Sequence, residues 1–174
     1  MSFDTERAKK IQLLIVDVDG VLTDGRIVYD EYGDELKFFD VQDGSGLVFW
    51  ARAGLKSAII TARKSKLVAR RAKEMQVTAL FQKALQKIKP YEKLLKRWKL
   101  ADEQVCVIAD DLFELPLMRR AGLAVCVPNA VAEVKAAAHY QTHRHGGEGA
   151  VRELVELILQ AQGKWAGILK RYVV

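Results

Sequence analysis

Cysteine is scarce, with two among 174 residues. Cys106 and Cys126 each lie inside an apolar, strand-like run, the setting of buried reduced thiols rather than of a disulfide framework. Long apolar runs are missing too: none approaches the length of a bilayer span. The opening residues Met1 to Arg7 have no apolar leader core, so we expect a cytoplasmic protein with no membrane partner. Acidic residues are outnumbered, 22 against 28 basic ones, for a net charge of +6. Much of that excess falls in Lys64 to Lys73 and Lys83 to Lys99 at helical spacing, and neither stretch carries a nucleic-acid recognition motif. Solvated helix faces, and no nucleic-acid partner, are the expectation. Positive surroundings would also suit an anionic substrate.

Half the residues are apolar, enough for one domain spanning residues 1–174. Its central stretch is Ile15-Val16-Asp17-Val18-Asp19-Gly20-Val21-Leu22-Thr23-Asp24-Gly25. The apolar run from Ile11 to Val18 predicts a buried strand. Two carboxylates stand at its end one residue apart, and strand alternation would place Asp17 and Asp19 on one face. Buried carboxylates need a counter-charge. A bound Mg²⁺ supplies it economically, because hard oxygen ligands suit that ion.

A second acidic strand end follows about ninety residues later: the run Val105 to Ala109, then Asp110-Asp111-Leu112-Phe113-Glu114-Leu115-Pro116. Between the two lie Lys56 to Thr61, a strand ending in a hydroxyl, and Val77 to Phe81, another strand. Thr61 before a helix start could hold a phosphate oxygen or simply cap the helix. Alternating strands and helices predict an α/β fold, a doubly wound, Rossmann-like parallel sheet with its site at the carboxyl ends of the strands. The β-prone runs around Tyr32-Gly33-Asp34 predict a hairpin insertion at about 25–40, and no large cap domain fits. We expect a helix over Leu47 to Ala53, another over Lys64 to Met75, and a docked C-terminal tail at about 163–174. His139, His143 and His145 are expected to be surface residues rather than a metal cluster.

Asp17-Val18-Asp19-Gly20, with the longer ending Leu22-Thr23-Asp24-Gly25, resembles the first motif of the haloacid dehalogenase superfamily. Thr61-Ala62-Arg63 and Ala109-Asp110-Asp111 with Leu115-Pro116 match its later motifs in order. The longer forms, and Gly146-Gly147-Glu148-Gly149-Ala150-Val151-Arg152-Glu153, are similar to the 3-deoxy-D-manno-octulosonate 8-phosphate phosphatase family of small sugar-acid phosphatases. The resemblance implies Mg²⁺-dependent hydrolysis of a phosphorylated sugar acid through an aspartyl-phosphate, most specifically the octulosonate 8-phosphate of lipopolysaccharide biosynthesis. A nonulosonate 9-phosphate is the alternative substrate. Asp17 is then the nucleophile and Asp19 the acid/base. Thr61 and Lys87 hold phosphate, with Lys87 placed by aligning Phe81-Gln82 and Tyr91 to Leu95. Asp17, Asp19 and Asp110 hold the metal, with Asp111 in support. Gln42 stands where a substrate contact is expected, and hairpins of four subunits assemble a homotetramer. In the family the C-terminal segment reaches a neighbouring subunit's site, so Arg152 could bind substrate or equally pair with Glu148 or Glu156 along its helix. The chain departs from the pattern at Ala62, Lys83, Ala109 and Glu114. A weakly active or inactive assembly module is therefore the competing expectation.

Overall fold

A computed structural model describes residues 2–172. Helix α1 (Thr5–Lys10) leads into strand β1 (Leu13–Val16), all four residues of which are buried. The hairpin strands β2 (Val28–Tyr29) and β3 (Glu35–Leu36) follow, then α2 (Val41–Arg52), β4 (Lys56–Ile60), α3 (Lys66–Glu74), β5 (Ala79–Phe81) and α4 (Ile88–Trp98). The second half comprises β6 (Val105–Ala109), α5 (Leu115–Met118), β7 (Leu123–Cys126), α6 (Ala132–Ala137), β8 (Tyr140–Gln141), α7 (Ala150–Ala161) and α8 (Trp165–Leu169). The chain is the α/β protein that its alternating pattern predicts.

Six strands form one sheet in the order β5-β4-β1-β6-β7-β8, every pairing parallel. The chain winds outward from β1 through β4 and β5, then returns to β6 on the other side of β1. The gap between β1 and β6 is thus the switch point, where loops leaving the strands diverge and open a crevice. Parallel strands covered on both faces read as continuous apolar runs, as β1, β6 and β7 do. Cys106 and Cys126 are free thiols in that core, and burial pushes both above the ordinary thiol range.

The structure corrects three local expectations. Strand β1 stops at Val16, so Asp17 and Asp19 sit in the turn beyond it rather than on one strand face. That turn is pinned by Thr23, whose buried hydroxyl accepts the N–H groups of Gly20 and Gly25 at 3.3 and 3.2 Å. Helix α2 begins six residues earlier than Leu47, because the Asp40 carboxylate caps it by accepting the N–H groups of Gln42 and Asp43. His139 is half-buried rather than a surface residue: its Nδ1 accepts the Ala124 N–H at 2.9 Å. His143 and His145 are exposed.

The hairpin turn is held by Asp30, whose carboxylate accepts the N–H groups of Tyr32 and Asp34. Its apolar residues find little cover, with Tyr29, Leu36 and Phe38 exposed. No helix among the described residues is long and apolar enough to cross a membrane.

Candidate active site

Loops from β1, β4, β5 and β6 converge on a cavity of about 320 Å³ lined by Asp17, Asp19, Thr61, Lys87, Asp110 and Asp111, together with Arg63 and Glu114. Six of the predicted site residues therefore meet in one place. On its floor, Lys87 Nζ donates to Asp17 Oδ1 at 2.7 Å and also to Glu114. Lys87 is 3% and Glu114 2% exposed, so neither charge is balanced by water. Lys87 stands just ahead of α4, which aims its side chain back under the strand ends.

Asp17, Asp110 and Glu114 each bring a carboxylate oxygen within 4.8 Å of the others. Three carboxylates face one ammonium there, a deficit of two positive charges. Asp110 Oδ1 and Glu114 Oε2 are buried without a hydrogen-bond partner, which is costly for polar atoms out of water. The donor set consists of hard oxygens, so the site fits a divalent cation of the Mg²⁺ kind. Without one, burial and the neighbouring Asp17 charge push Asp110 up to about 7 and Glu114 up to about 8. Burial likewise raises Asp17, against the pull of Lys87. Burial would lower Lys87, but the Asp17 and Glu114 carboxylates prevail and raise it.

Thr61 is buried at the end of β4, its N–H bonded to the Phe81 carbonyl and its hydroxyl accepting the Arg63 N–H at 3.3 Å. Asp111 caps the short 3-10 turn Leu112–Glu114, which turns Glu114 inward. Gly20, at φ +91°, lies flat against the Asp110 carboxylate, and a Cβ there would overlap it. Asn129 ties the turn from outside: its Nδ2 donates to the Gly20 carbonyl at 2.8 Å and its Oδ1 accepts the Gly146 N–H at 2.9 Å. The backbone of Gly146 packs directly on that same carbonyl, which leaves no room for a side chain.

Neither Gln42 nor Arg152 lines this cavity within one chain. Both line a separate hollow with His143, Arg144 and Glu153. The Arg152 guanidinium lies over Phe49 and Trp165, 4.8 and 5.6 Å from their ring centroids, and pairs with Glu156. Gln42 Oε1 accepts from Arg144 at 2.6 Å. Sequence reasoning in turn missed a rim of charge around Asp19. Lys37 donates to Asp19 Oδ1 and reaches Glu35 at 3.3 Å, while Arg63 pairs with Glu35 at 2.6 Å. The signal was present in the period-two pattern, which sets Glu35 and Lys37 on one face and Leu36 and Phe38 on the other. Asn129 offered no such signal, because its partners lie 109 and 17 residues away.

Carboxylates, a lysine and a hydroxyl at the switch point of an open parallel sheet define a phosphoryl-transferring hydrolase. Residues 51–154 match the model of the haloacid dehalogenase-like hydrolases. The 3-deoxy-D-manno-octulosonate 8-phosphate phosphatase of Yersinia pestis is 44% identical over 162 residues, 93% of this chain and 87% of that protein. The crystal structure of the phosphatase of that name from Moraxella catarrhalis, in complex with magnesium, phosphate and the sugar acid, superposes with a TM-score of 0.94 at 40% identity. The match covers 97% of both chains. A cobalt-bound relative from Haemophilus influenzae gives 0.86 at 37% identity, over 91% of this chain and 92% of that one. The chain belongs to the haloacid dehalogenase-like hydrolases and, within them, to the 3-deoxy-D-manno-octulosonate 8-phosphate phosphatase family.

Proposed function

We propose that this protein is a Mg²⁺-dependent phosphomonoesterase that hydrolyses 3-deoxy-D-manno-octulosonate 8-phosphate in lipopolysaccharide biosynthesis. The observation that carries the reading is the floor of the cavity, where three carboxylates, two of them buried and Asp110 half-buried, converge with one lysine at the switch point. Family membership with near-complete coverage supports the substrate.

Asp17 attacks phosphorus, and the bond to the sugar oxygen breaks as the aspartyl-phosphate forms. Lys87 orients Asp17 through Oδ1 and, with Thr61, carries the charge of the phosphate oxygens. Asp19 gives its proton to the departing alkoxide, then takes one from the water that attacks the phosphoenzyme. Asp17, the Asp19 backbone carbonyl and Asp110 would hold Mg²⁺, with Asp111 in support. Glu114 joins the floor as the partner of Lys87. The cation, when bound, shields the nucleophile from the phosphate charge and keeps the carboxylates ionised.

The other parts of the reading concern the whole molecule. Residues 1–174 act as one phosphatase domain in the cytoplasm, with a phosphorylated sugar acid as partner and neither nucleic acid nor membrane. The exposed Tyr29, Leu36 and Phe38 of the hairpin support assembly into a homotetramer through that element. A weakly active module is less favoured, because every group that the chemistry needs reaches one cavity.

A phosphate-release assay on the octulosonate 8-phosphate tests the proposal. Activity should require Mg²⁺, disappear with chelator and fall by at least about 1,000-fold in Asp17→Asn. Retention of wild-type turnover by that variant would remove the assignment, and equal turnover of unrelated sugar phosphates would remove the named substrate.

A further inference from the structure

We propose that Lys37, carried on the hairpin, is a positioning residue that holds the Asp19 carboxyl group in the orientation needed for proton transfer to the leaving oxygen. The proposal rests on the acid/base role given to Asp19 above.

Lys37 follows β3, and its side chain is 2% exposed although the hairpin around it is open to solvent. A lysine on a two-stranded insertion would ordinarily extend into water. Here the ammonium is turned inward and donates to Asp19 Oδ1. Its second carboxylate neighbour is Glu35, at 3.3 Å. Glu35 accepts from Arg63 at 2.6 Å, and Arg63 Nε lies 3.8 Å from Asp19 Oδ2. The four side chains close a ring of alternating charge, Asp19–Lys37–Glu35–Arg63.

Lys37 neither lines the cavity nor contacts Asp17, Thr61, Lys87 or Asp110 through any described hydrogen bond or ion pair. Its influence on chemistry must therefore pass through Asp19. An aspartate side chain in a turn has two free torsions, which the contact with Lys37 restricts. With Oδ1 fixed by Lys37, Oδ2 is the oxygen left to carry the proton. As the bond from phosphorus to the sugar oxygen breaks, the Oδ2 proton passes to that oxygen. In the second step water loses a proton to the same carboxylate as its oxygen bonds to phosphorus and releases Asp17, so charge and atoms balance. Misplacement of such a group by about 1 Å can lower a rate by about 100-fold.

The test compares wild type, Lys37→Met, Lys37→Arg, Asp19→Asn and the Lys37→Met/Asp19→Asn double variant on two substrates, with activity read as the single-turnover rate of leaving-group release, because the second step is common to both. One is the octulosonate 8-phosphate, whose alkoxide must be protonated as it leaves. The other is p-nitrophenyl phosphate, whose phenolate leaves without a proton. Lys37→Met should lower that rate on the sugar phosphate by about 10- to 100-fold, with the half-saturating substrate concentration within about twofold. Its effect on p-nitrophenyl phosphate should be several-fold smaller, Lys37→Arg should recover part of the loss, and the double variant should be no slower than Asp19→Asn. If Lys37→Met fails to fold, Lys37→Gln, which keeps one donor, takes its place in the same comparison. Equal losses on both substrates, or additive losses in the double variant, would overturn the positioning role while Asp19→Asn remains selective for the alkoxide. Should Asp19→Asn itself lose activity equally on both substrates, the acid assignment fails and takes this proposal with it.

Discussion

The floor and the rim of the cavity are both built from paired charges, but they are supported differently. On the floor, Asp17, Asp110 and Glu114 follow the central strands β1 and β6, Lys87 follows the edge strand β5, and Asp17, Lys87 and Glu114 are buried. On the rim, Asp19 is reached by Lys37 and Arg63, and Lys37 comes from a hairpin of two-residue strands whose apolar faces stay exposed. A charge on the floor has no water to fall back on if its partner is lost. A charge on the rim recovers solvent if the hairpin swings away. Two aspartates only two residues apart in sequence thus belong to regions of unequal stiffness, which suits a fixed nucleophile and an acid that must meet a leaving group.

The sharpest way to break this contrast is to remove one lysine from each region. Lys87→Met leaves the buried Asp17 and Glu114 and the half-buried Asp110 unbalanced and should cost about 3–5 kcal/mol of metal-free stability in urea unfolding. Lys37→Met should cost about 1 kcal/mol or less, because local opening of the hairpin relieves it. Equal losses would dissolve the distinction.

A second test uses pH. Asp110 and Glu114 titrate at about 7 and about 8 in the metal-free fold, above the ordinary carboxylate range. Across that window the folded chain holds protons that the unfolded chain has released, so lowering the pH favours the fold. The Tm of metal-free protein should therefore rise as pH falls from about 8 to about 5. Mg²⁺ binds the ionised carboxylates, so its stabilising shift should be larger at the alkaline end. Calorimetry with and without Mg²⁺ checks both signs, and a Tm independent of pH would contradict the unbalanced floor.

The smallest expected effect concerns the loop over the floor. Lys83 adopts φ 57°, a left-handed conformation that glycine takes at no cost. Lys83→Gly should leave the charge balance of the floor intact and raise stability by about 1 kcal/mol at most, since relief of strain is offset by a more flexible unfolded chain. A clear loss of stability would show that the lysine side chain matters more than its backbone.

Legibility from sequence followed the same division. Asp17, Thr61 and Asp110 each end an apolar run that becomes a parallel strand, so their convergence could be argued from topology. Lys87 depended on motif order, because a lysine in a basic stretch carries no local mark of burial. Of the departures, Ala62 and Ala109 do not take positive φ, and only Lys83 occupies a backbone region that glycine favours. Glu114 read in the sequence only as a departure from the motif, and the 3-10 turn that brings it to Lys87 gives it a place on the floor. Arg152 keeps the i,i+4 partner Glu156 that helical spacing offered, whereas its stacking on Phe49 and Trp165 and the Gln42–Arg144 contact join parts of the chain too far apart in sequence to be read there. The early start of α2 was hidden by two glycines in its first half, which lower helix propensity while the Asp40 cap restores it.

The clasp between the Gly20 turn and Gly146, made through Asn129, has a consequence for how the protein is made. The nucleophile loop leaves the ribosome early, yet the groups that clamp it are translated more than a hundred residues later. At about 5–20 residues per second that gap amounts to roughly ten seconds. For most of this interval β1 also lacks β6, its neighbour on one side. A nascent chain therefore carries its reactive aspartate in an unclamped turn, and competence for chemistry waits on residues translated long after it.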